Sequence, residues 1–277
     1  MDLDPEQVRV AFGDDVGEVT VTPINPELRF HSVTGGVFRV SAEDGSTLVL
    51  KIVQHGLDAD PGALWVSGAE PGHRNYWKRE WLAFDSGLLD NLPGQLRAPR
   101  TLLTTEPTPD EAWIWMEDVE GRPGEEWPIA DYASVAFDVG TTQGEYAADP
   151  PSLPAADWLA HDWLRGWVDA LAHHIPLLDD DAVWSAPALQ SMDPLRTRVA
   201  SLWASRDDLL AIVDTALRTV VHCDLWPANL IAADDGTTVA VDWSQIGIGA
   251  VGQDLDQLTL DPVWMQVRPD TDPETLE

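Results

Sequence analysis

Strand-like stretches recur within the first 120 residues, and the pattern turns to helical spacing after residue 128. The clearest strand is 46–53, STLVLKIV, where Leu48, Leu50 and Ile52 share one face and Val49, Lys51 and Val53 share the other. Ahead of it, residues 27–40 read as strand, turn, strand (ELRF, HSVTGG, VFRV), with Gly35-Gly36 in the turn, able to adopt positive φ and let the backbone approach an anion. Residues 1–26 are too irregular to assign, and 54–74 read as loop with two Pro-Gly steps. Residues 75–89 carry Tyr76, Trp77, Glu80, Trp81 and Phe84 at helical spacing, with Lys78 and Arg79 pointing elsewhere. Two more strands are expected at 96–105 and 112–119, and Gly121 with Pro123 marks a boundary.

The second half predicts helices at 129–146 and 156–174, a third from Asp193-Pro194 through Trp203, and a fourth running to Leu217. The fourth is opened by a capping-box-like Ser205-Arg206-Asp207-Asp208. Trp158, Trp163 and Trp167 read as a core stripe, and Asp179-Asp180-Asp181 as a cap and solvent face. Residues 219–243, TVVHCDLWPANLIAADDGTTVAVDW, then return to strand, polar loop, strand, tight turn, strand. Loop and strand ends carry Asp224, Asn229 and Asp242. One such carboxylate is suited to accept a hydroxyl proton, and a carboxylate with an amide oxygen suits Mg²⁺, which takes hard oxygen ligands and keeps several waters.

Composition narrows the setting. The chain has 277 residues, 44% hydrophobic and 23% charged, which suits a soluble globule of one large domain or two lobes. It lacks an apolar run long enough to span a bilayer, its start is acidic rather than signal-like, and its single cysteine cannot close an internal disulfide. A cytoplasmic protein is expected. The net charge of -32 makes nucleic acid and anionic membranes poor partners and suits a cationic small molecule. The scarcity of cations makes the two lysines, Lys51 and Lys78, informative beside fourteen arginines. A lysine inside an apolar strand must reach an anion or snorkel to water.

His222-x-Asp224-x-x-x-x-Asn229, followed by Asp242-Trp243, resembles the catalytic centre of aminoglycoside phosphotransferases, part of a wider set of kinase-like small-molecule phosphotransferases. Protein kinases place Asp-Phe-Gly where this chain has Asp242-Trp243-Ser244. The resemblance covers roughly residues 27–255. It implies an α+β, protein-kinase-like bilobal fold. A small antiparallel sheet with one helix forms an N-terminal nucleotide-binding lobe (1–119), a hinge lies near 117–121, and a larger, mainly helical catalytic and substrate lobe follows (120–277). It implies Asp224 as catalytic base, Asn229 and Asp242 as Mg²⁺ ligands, and Lys51 on the α- and β-phosphates with Glu80 fixing it. Thr34, Gly35 and Gly36 would form the phosphate loop, and the backbone from Glu117 to Val119 would meet the adenine. His222 braces the catalytic loop, Asp254 steadies it, and Cys223 stands where relatives usually have Gly.

The implied reaction is transfer of the γ-phosphoryl of ATP, with GTP left open, to a hydroxyl of a small molecule such as a cationic amino sugar, with no obligate protein partner. The loop is not a P-loop, since no G-x-x-x-x-G-K-[ST] occurs. The step of twelve positions from Asp242 to Asp254 leaves no room for a protein kinase's activation segment. Only thirty-five residues follow Asp242, fewer than related acceptor pockets use for their walls. The alternative reading is a nucleotide-binding pseudoenzyme or interaction module, which should have lost one of the acids; none is lost.

Overall fold

The computed structural model describes residues 3–24, 33–56, 66–187 and 189–261. Its first helix, α1 (Pro5–Phe12), begins where Asp4 accepts from the Glu6 N–H at 2.9 Å and Pro5 takes a position whose amide is not needed. Gly13, at φ 110°, stops it. Strands β1 (Val19–Pro23), β2 (Thr34–Ala42) and β3 (Thr47–Gln54) follow, then α2 (Arg79–Asp85), β4 (Leu96–Arg97), β5 (Thr101–Thr108), β6 (Glu111–Glu117) and β7 (Gly121–Pro123). The rest runs α3 (Ile129–Ala148), α4 (Trp163–Leu171), α5 (Asp181–Trp184), α6 (Arg196–Ala204), α7 (Arg206–Asp214), β8 (Arg218–Val221), β9 (Leu230–Ala233), β10 (Thr238–Ala240), β11 (Gly247–Ala250) and α8 (Leu255–Thr259).

A five-stranded antiparallel sheet is ordered β1-β2-β3-β6-β5. The alternation in β3 decides what each face meets. Leu48, Leu50 and Ile52 pack with Val40, Trp113 and Trp115 beneath Val8 and Ala11 of α1. Val49 and Val53 face a larger core that holds Trp77, Trp81 and Phe84 together with Trp127 and, from the later half of the chain, Val220, Leu225 and Trp243. Lys51 sits on this second face, so burial of its neighbours carries it inward. A four-stranded sheet, β4-β10-β9-β7, joins strands from both halves of the chain, and β11 pairs with β8.

Several expected boundaries move, each for a local reason. Gly35-Gly36 is not a turn: β2 begins at Thr34, and a register shift between Thr34 and Gly36 absorbs one extra residue against β3. The strand expected at 27–30 lies outside the described residues. The strand expected at 96–105 splits, because β4 leaves the large sheet and pairs parallel with β10. The helix expected at 75–89 is only α2, since Gly68 and Tyr76 form a β-bridge just before it. The helix expected from 156 starts at Trp163, because Ala160 is first held in a bridge to Gly247. It ends at Leu171 ahead of a 3₁₀ stretch that contains Pro176. Pro194 likewise sits in a 3₁₀ turn before α6. The capping box at Ser205 does not form: that residue closes α6 through its N–H and makes no side-chain cap to α7. Asp180 does cap α5, accepting from Ala182 N at 2.8 Å. The Trp158, Trp163 and Trp167 stripe is half-buried rather than fully enclosed. The unassigned start proves to hold α1 and β1, adding a second helix beside the sheet.

Candidate active site

Lys51 is buried, with its Nζ 2.6 Å from Glu80 Oε2 and 2.8 Å from Asp242 Oδ1. Strand β3 and helix α2 thus deliver an ammonium and a carboxylate to the acid that follows β10. Snorkelling is ruled out for this lysine. Burial alone would lower its pKa, but the charges of Asp242 and Glu80 outweigh it and raise the pKa, so the ammonium persists. Glu80 is pushed up to about 7 by burial, against the pull of Lys51 and with the further push of Asp242. Its Oε1 accepts from the Trp243 N–H at 3.1 Å, so α2 also holds the turn after Asp242.

The segment after β8 is organised by Asp254 and His222. The buried Asp254 carboxylate accepts from Cys223 N through Oδ1 (2.8 Å), and through Oδ2 from His222 N (3.0 Å) and Gln143 Nε2 (2.9 Å). Burial pushes its pKa up to about 6 in spite of these donors. His222 accepts from the Asp224 N–H at 3.3 Å through Nδ1, and its Nε2 lies 3.0 Å from Val241 O. Burial lowers its pKa to about 4, so the ring is neutral, with Nε2 carrying the proton and donating to Val241. Both nitrogens are engaged by backbone, and the ring packs 4.4 Å from that of Trp243.

Among the described residues the non-glycine positions with positive φ are Cys223, at 64°, and Asp242, at 61°. Cys223 directly precedes Asp224 and Asp242 is the second acid itself, and each conformation costs of order 1–2 kcal/mol, which neighbouring contacts must hold. The buried Cys223 thiol has its pKa pushed far up by burial, so it stays protonated and inert.

Asp224 receives the Asn229 Nδ2 at its own carbonyl (2.8 Å) and at Oδ2 (2.9 Å). Its pKa is raised to about 7 by burial first and the Asp242 charge second, against the Asn229 hydrogen bond. Two acids therefore push on each other beside one lysine. That excess of negative charge, with an amide oxygen at hand, fits a bound divalent cation. Among the described residues no three His, Cys, Asp or Glu side chains gather as a metal cage. Magnesium needs no such cage, since one or two protein oxygens with phosphate and water complete its shell.

The other expected residues are placed as follows. Thr34 pairs with Val53 and Gly36 with Ile52, next to Lys51 in the adjacent strand. A Cβ on Gly36 would meet the Phe38 ring at 2.4 Å, so a side chain there requires that ring to move. The Glu117 side chain is engaged by Arg97 (2.9 and 3.2 Å) and the Arg100 N–H, and its own N–H donates to Arg100 O. Val119 lies between β6 and β7, outside any ladder. Asp118 beside it takes both arms of Arg39 from β2.

Sequence reading missed Arg79. It is buried, not outward, and its guanidinium donates to the carbonyls of Trp158, Arg74, Ser244 and His73. It ties α2 to the turn that follows Asp242. The helical phase read from residue 75 misled, because the helix begins only at Arg79. Gln143 and Gln257 were also missed: Gln257 donates to Cys223 O and accepts from Leu225 N. Neither has a local sequence signal.

The sequence profile of the phosphotransferase enzyme family, APH, matches residues 30–274. The chain belongs to that family. Its members transfer phosphate to hydroxyl groups of small molecules, and this phosphotransferase has their protein-kinase-like α+β fold. Among solved structures it is similar to an aminoglycoside-3'-phosphotransferase of type VIII, at 18% identity and TM-score 0.53, over 98% of this chain and 87% of that one. It is also similar to spectinomycin phosphotransferase, APH(9)-Ia, in complex with ADP and spectinomycin, at 12% identity and TM-score 0.55, over 98% and 75% of the two chains. A third is APH(2")-IIIa in complex with GDP and kanamycin, at 14% identity and TM-score 0.50, over 98% and 84%. At these identities the likeness shows the phosphotransferase's fold. No curated protein matches it. Among the described residues no helix is long and apolar enough to cross a membrane.

Proposed function

We propose that this phosphotransferase is a Mg²⁺-dependent small-molecule kinase that moves the γ-phosphoryl of ATP or GTP to a hydroxyl of a cationic acceptor of the amino-sugar type. The observation that carries the reading is the placement of Lys51 Nζ between Glu80 (2.6 Å) and Asp242 (2.8 Å), with Asp242 acting on Asp224. Lys51 is held ready to meet the α- and β-phosphates. Asp242 and the Asn229 amide oxygen are the ligands assigned to magnesium, which would neutralise charge on the phosphates. The Asp224 carboxylate orients the acceptor hydroxyl and takes its proton, while the acceptor oxygen forms the new P–O bond and the nucleoside diphosphate leaves. A pKa near 7 suits that base. His222 and Asp254 brace the loop through its backbone and do not exchange protons with substrate.

Two further assignments belong to this reading. The chain divides into a nucleotide lobe, 1–119, and a catalytic lobe, 120–277. The base of the nucleotide lies against the backbone of Glu117 and Val119, reached at Glu117 through the carbonyl because the N–H is engaged, with Thr34, Gly35 and Gly36 near the phosphates. The net charge of -32 favours a cationic acceptor, as do the kanamycin and spectinomycin bound by two structures of similar fold. The test is nucleotide consumption with Mg²⁺ across amino sugars, neutral sugars and amino alcohols, with the phosphorylated product identified by mass. Acceptor-dependent turnover that EDTA abolishes is expected. Silence with every acceptor, or turnover unaffected by EDTA, overturns the reading.

A further inference from the structure

A groove of about 650 Å³, lined by none of the phosphoryl-transfer residues, lies between the turn that follows α2 and the C-terminal end of α3. Its apolar wall is formed by Leu88, Tyr146, Pro154 and Trp158, and its polar side includes Glu145 and Asp149. Among the described residues no lysine, arginine or histidine lines it. Among the described residues neither Glu145 nor Asp149 forms an ion pair.

The charge placement is unfavourable as it stands. The C-terminal end of a 20-residue helix carries partial negative charge, which a basic side chain usually complements. The last turn of α3 has no basic residue and instead carries Glu145, with Asp149 at the cap. Helix end and two carboxylates add in a groove whose lining also includes the phenol of Tyr146, on the same helix, and the indole of Trp158. Such a combination attracts a cation through the acids and through the faces of the aromatic rings. The volume is in the range of small-molecule pockets, about 300–1,000 Å³.

We propose that this groove binds an organic ammonium ion with a flat apolar body, at a site separate from the acceptor and nucleotide cleft. The ammonium lies between Glu145 and Asp149, and the apolar body lies against Trp158 and Tyr146.

The test is calorimetric titration of the full chain with benzyltrimethylammonium, with benzyl alcohol as the uncharged probe. Saturable one-to-one binding of the ammonium is expected, with benzyl alcohol at least about tenfold weaker. Replacing both acids (Glu145→Gln with Asp149→Asn) should weaken the ammonium about tenfold, consistent with one or two solvent-exposed charge contacts. Glu145→Lys should abolish measurable binding while keeping the melting temperature, because a cation there complements the helix end. Asp224→Asn separates this groove from the acidic cleft, and binding should be unchanged in it. Absence of saturable binding, equal binding of benzyl alcohol, indifference to the Glu145 and Asp149 variants, or loss in Asp224→Asn each overturns the proposal.

Discussion

Replacing Asp254 with Asn tests how the loop that carries Asp224 is held. The native carboxylate serves three buried donors: Cys223 N at one oxygen, His222 N and Gln143 Nε2 at the other. An amide has one acceptor oxygen. In its better orientation it keeps the His222 and Gln143 bonds and turns its NH₂ against the Cys223 N–H. One buried donor is then unpaired, at about 1–3 kcal/mol, and the two surviving bonds lose their charge assistance. Burial already lifts the carboxyl to a pKa of about 6, so the ionised acid carries a desolvation cost that the amide lacks, which trims the loss. The net expectation is roughly 2–4 kcal/mol of destabilisation. For a chain of this size that corresponds to a fall in Tm of about 5–12 °C. Function should fall further than stability, because Cys223 keeps its φ of 64° only while its N–H is anchored, and Asp224 is the next residue. A misplaced base costs about a hundredfold in turnover. The assay is a thermal melt at pH 7 beside steady-state turnover at a temperature where both proteins are folded. A variant that melts within about 1 °C of the parent and turns over normally would refute the reasoning.

Asp224→Asn should lower turnover by about 10²–10⁴ yet stabilise the nucleotide-free protein at alkaline pH. The folded pKa of about 7 lies above the ordinary 3.8, so the cost of ionising this acid is absent at low pH and complete above pH 7. Melts of parent and variant should separate as pH rises from 5 to 8, and parallel curves would contradict this. The same pKa predicts that kcat/KM of the parent falls on acidification with a midpoint near 7, and a midpoint near 4 would count against Asp224 as base. Glu80→Gln retains an acceptor for the Trp243 N–H but leaves Lys51 held by Asp242 alone. Nucleotide affinity measured by calorimetry should drop about tenfold, roughly the worth of one charged contact, and an unchanged Kd would remove Glu80 from the site. Arg79→Met strands the carbonyls of Trp158, Arg74, Ser244 and His73, and denaturant titration should show a loss of about 2–4 kcal/mol. An unaltered midpoint would mean that these carbonyls find other donors.

Much of the site was legible because its residues carry their chemistry in local order. Alternation placed Lys51 on the strand face of Val49 and Val53, which are packed in the core, and left it to reach an anion or snorkel; its pairing with Glu80 was an expectation from the resemblance. The Asp224, Asn229 and Asp242 set was readable from spacing, since two short strands and a turn leave little freedom between them. Long-range partners were not legible. Gln143 reaches Asp254 from a helix 111 positions away, and nothing in its neighbourhood marks it. Arg79 was misjudged because a periodic reading assumes a helix already under way, whereas α2 starts at that residue. The parallel pairing of β4 with β10 was hidden for a different reason: two residues are too few to show a period. The opening helix was missed although Asp4-Pro5 carries a cap signal, because the exposed Val10 beside the buried Val8 and Ala11 blurs the helical spacing.

The one cysteine of the chain sits at the hinge of the loop between His222 and Asp224, sealed from water and held protonated. An alkylating reagent therefore reaches it only when that loop lifts off Asp254 and Gln257. Its labelling rate is a clock for excursions of the loop alone, read without any engineered probe. Comparing that rate with and without nucleotide would tell how far occupancy quiets the segment before chemistry begins.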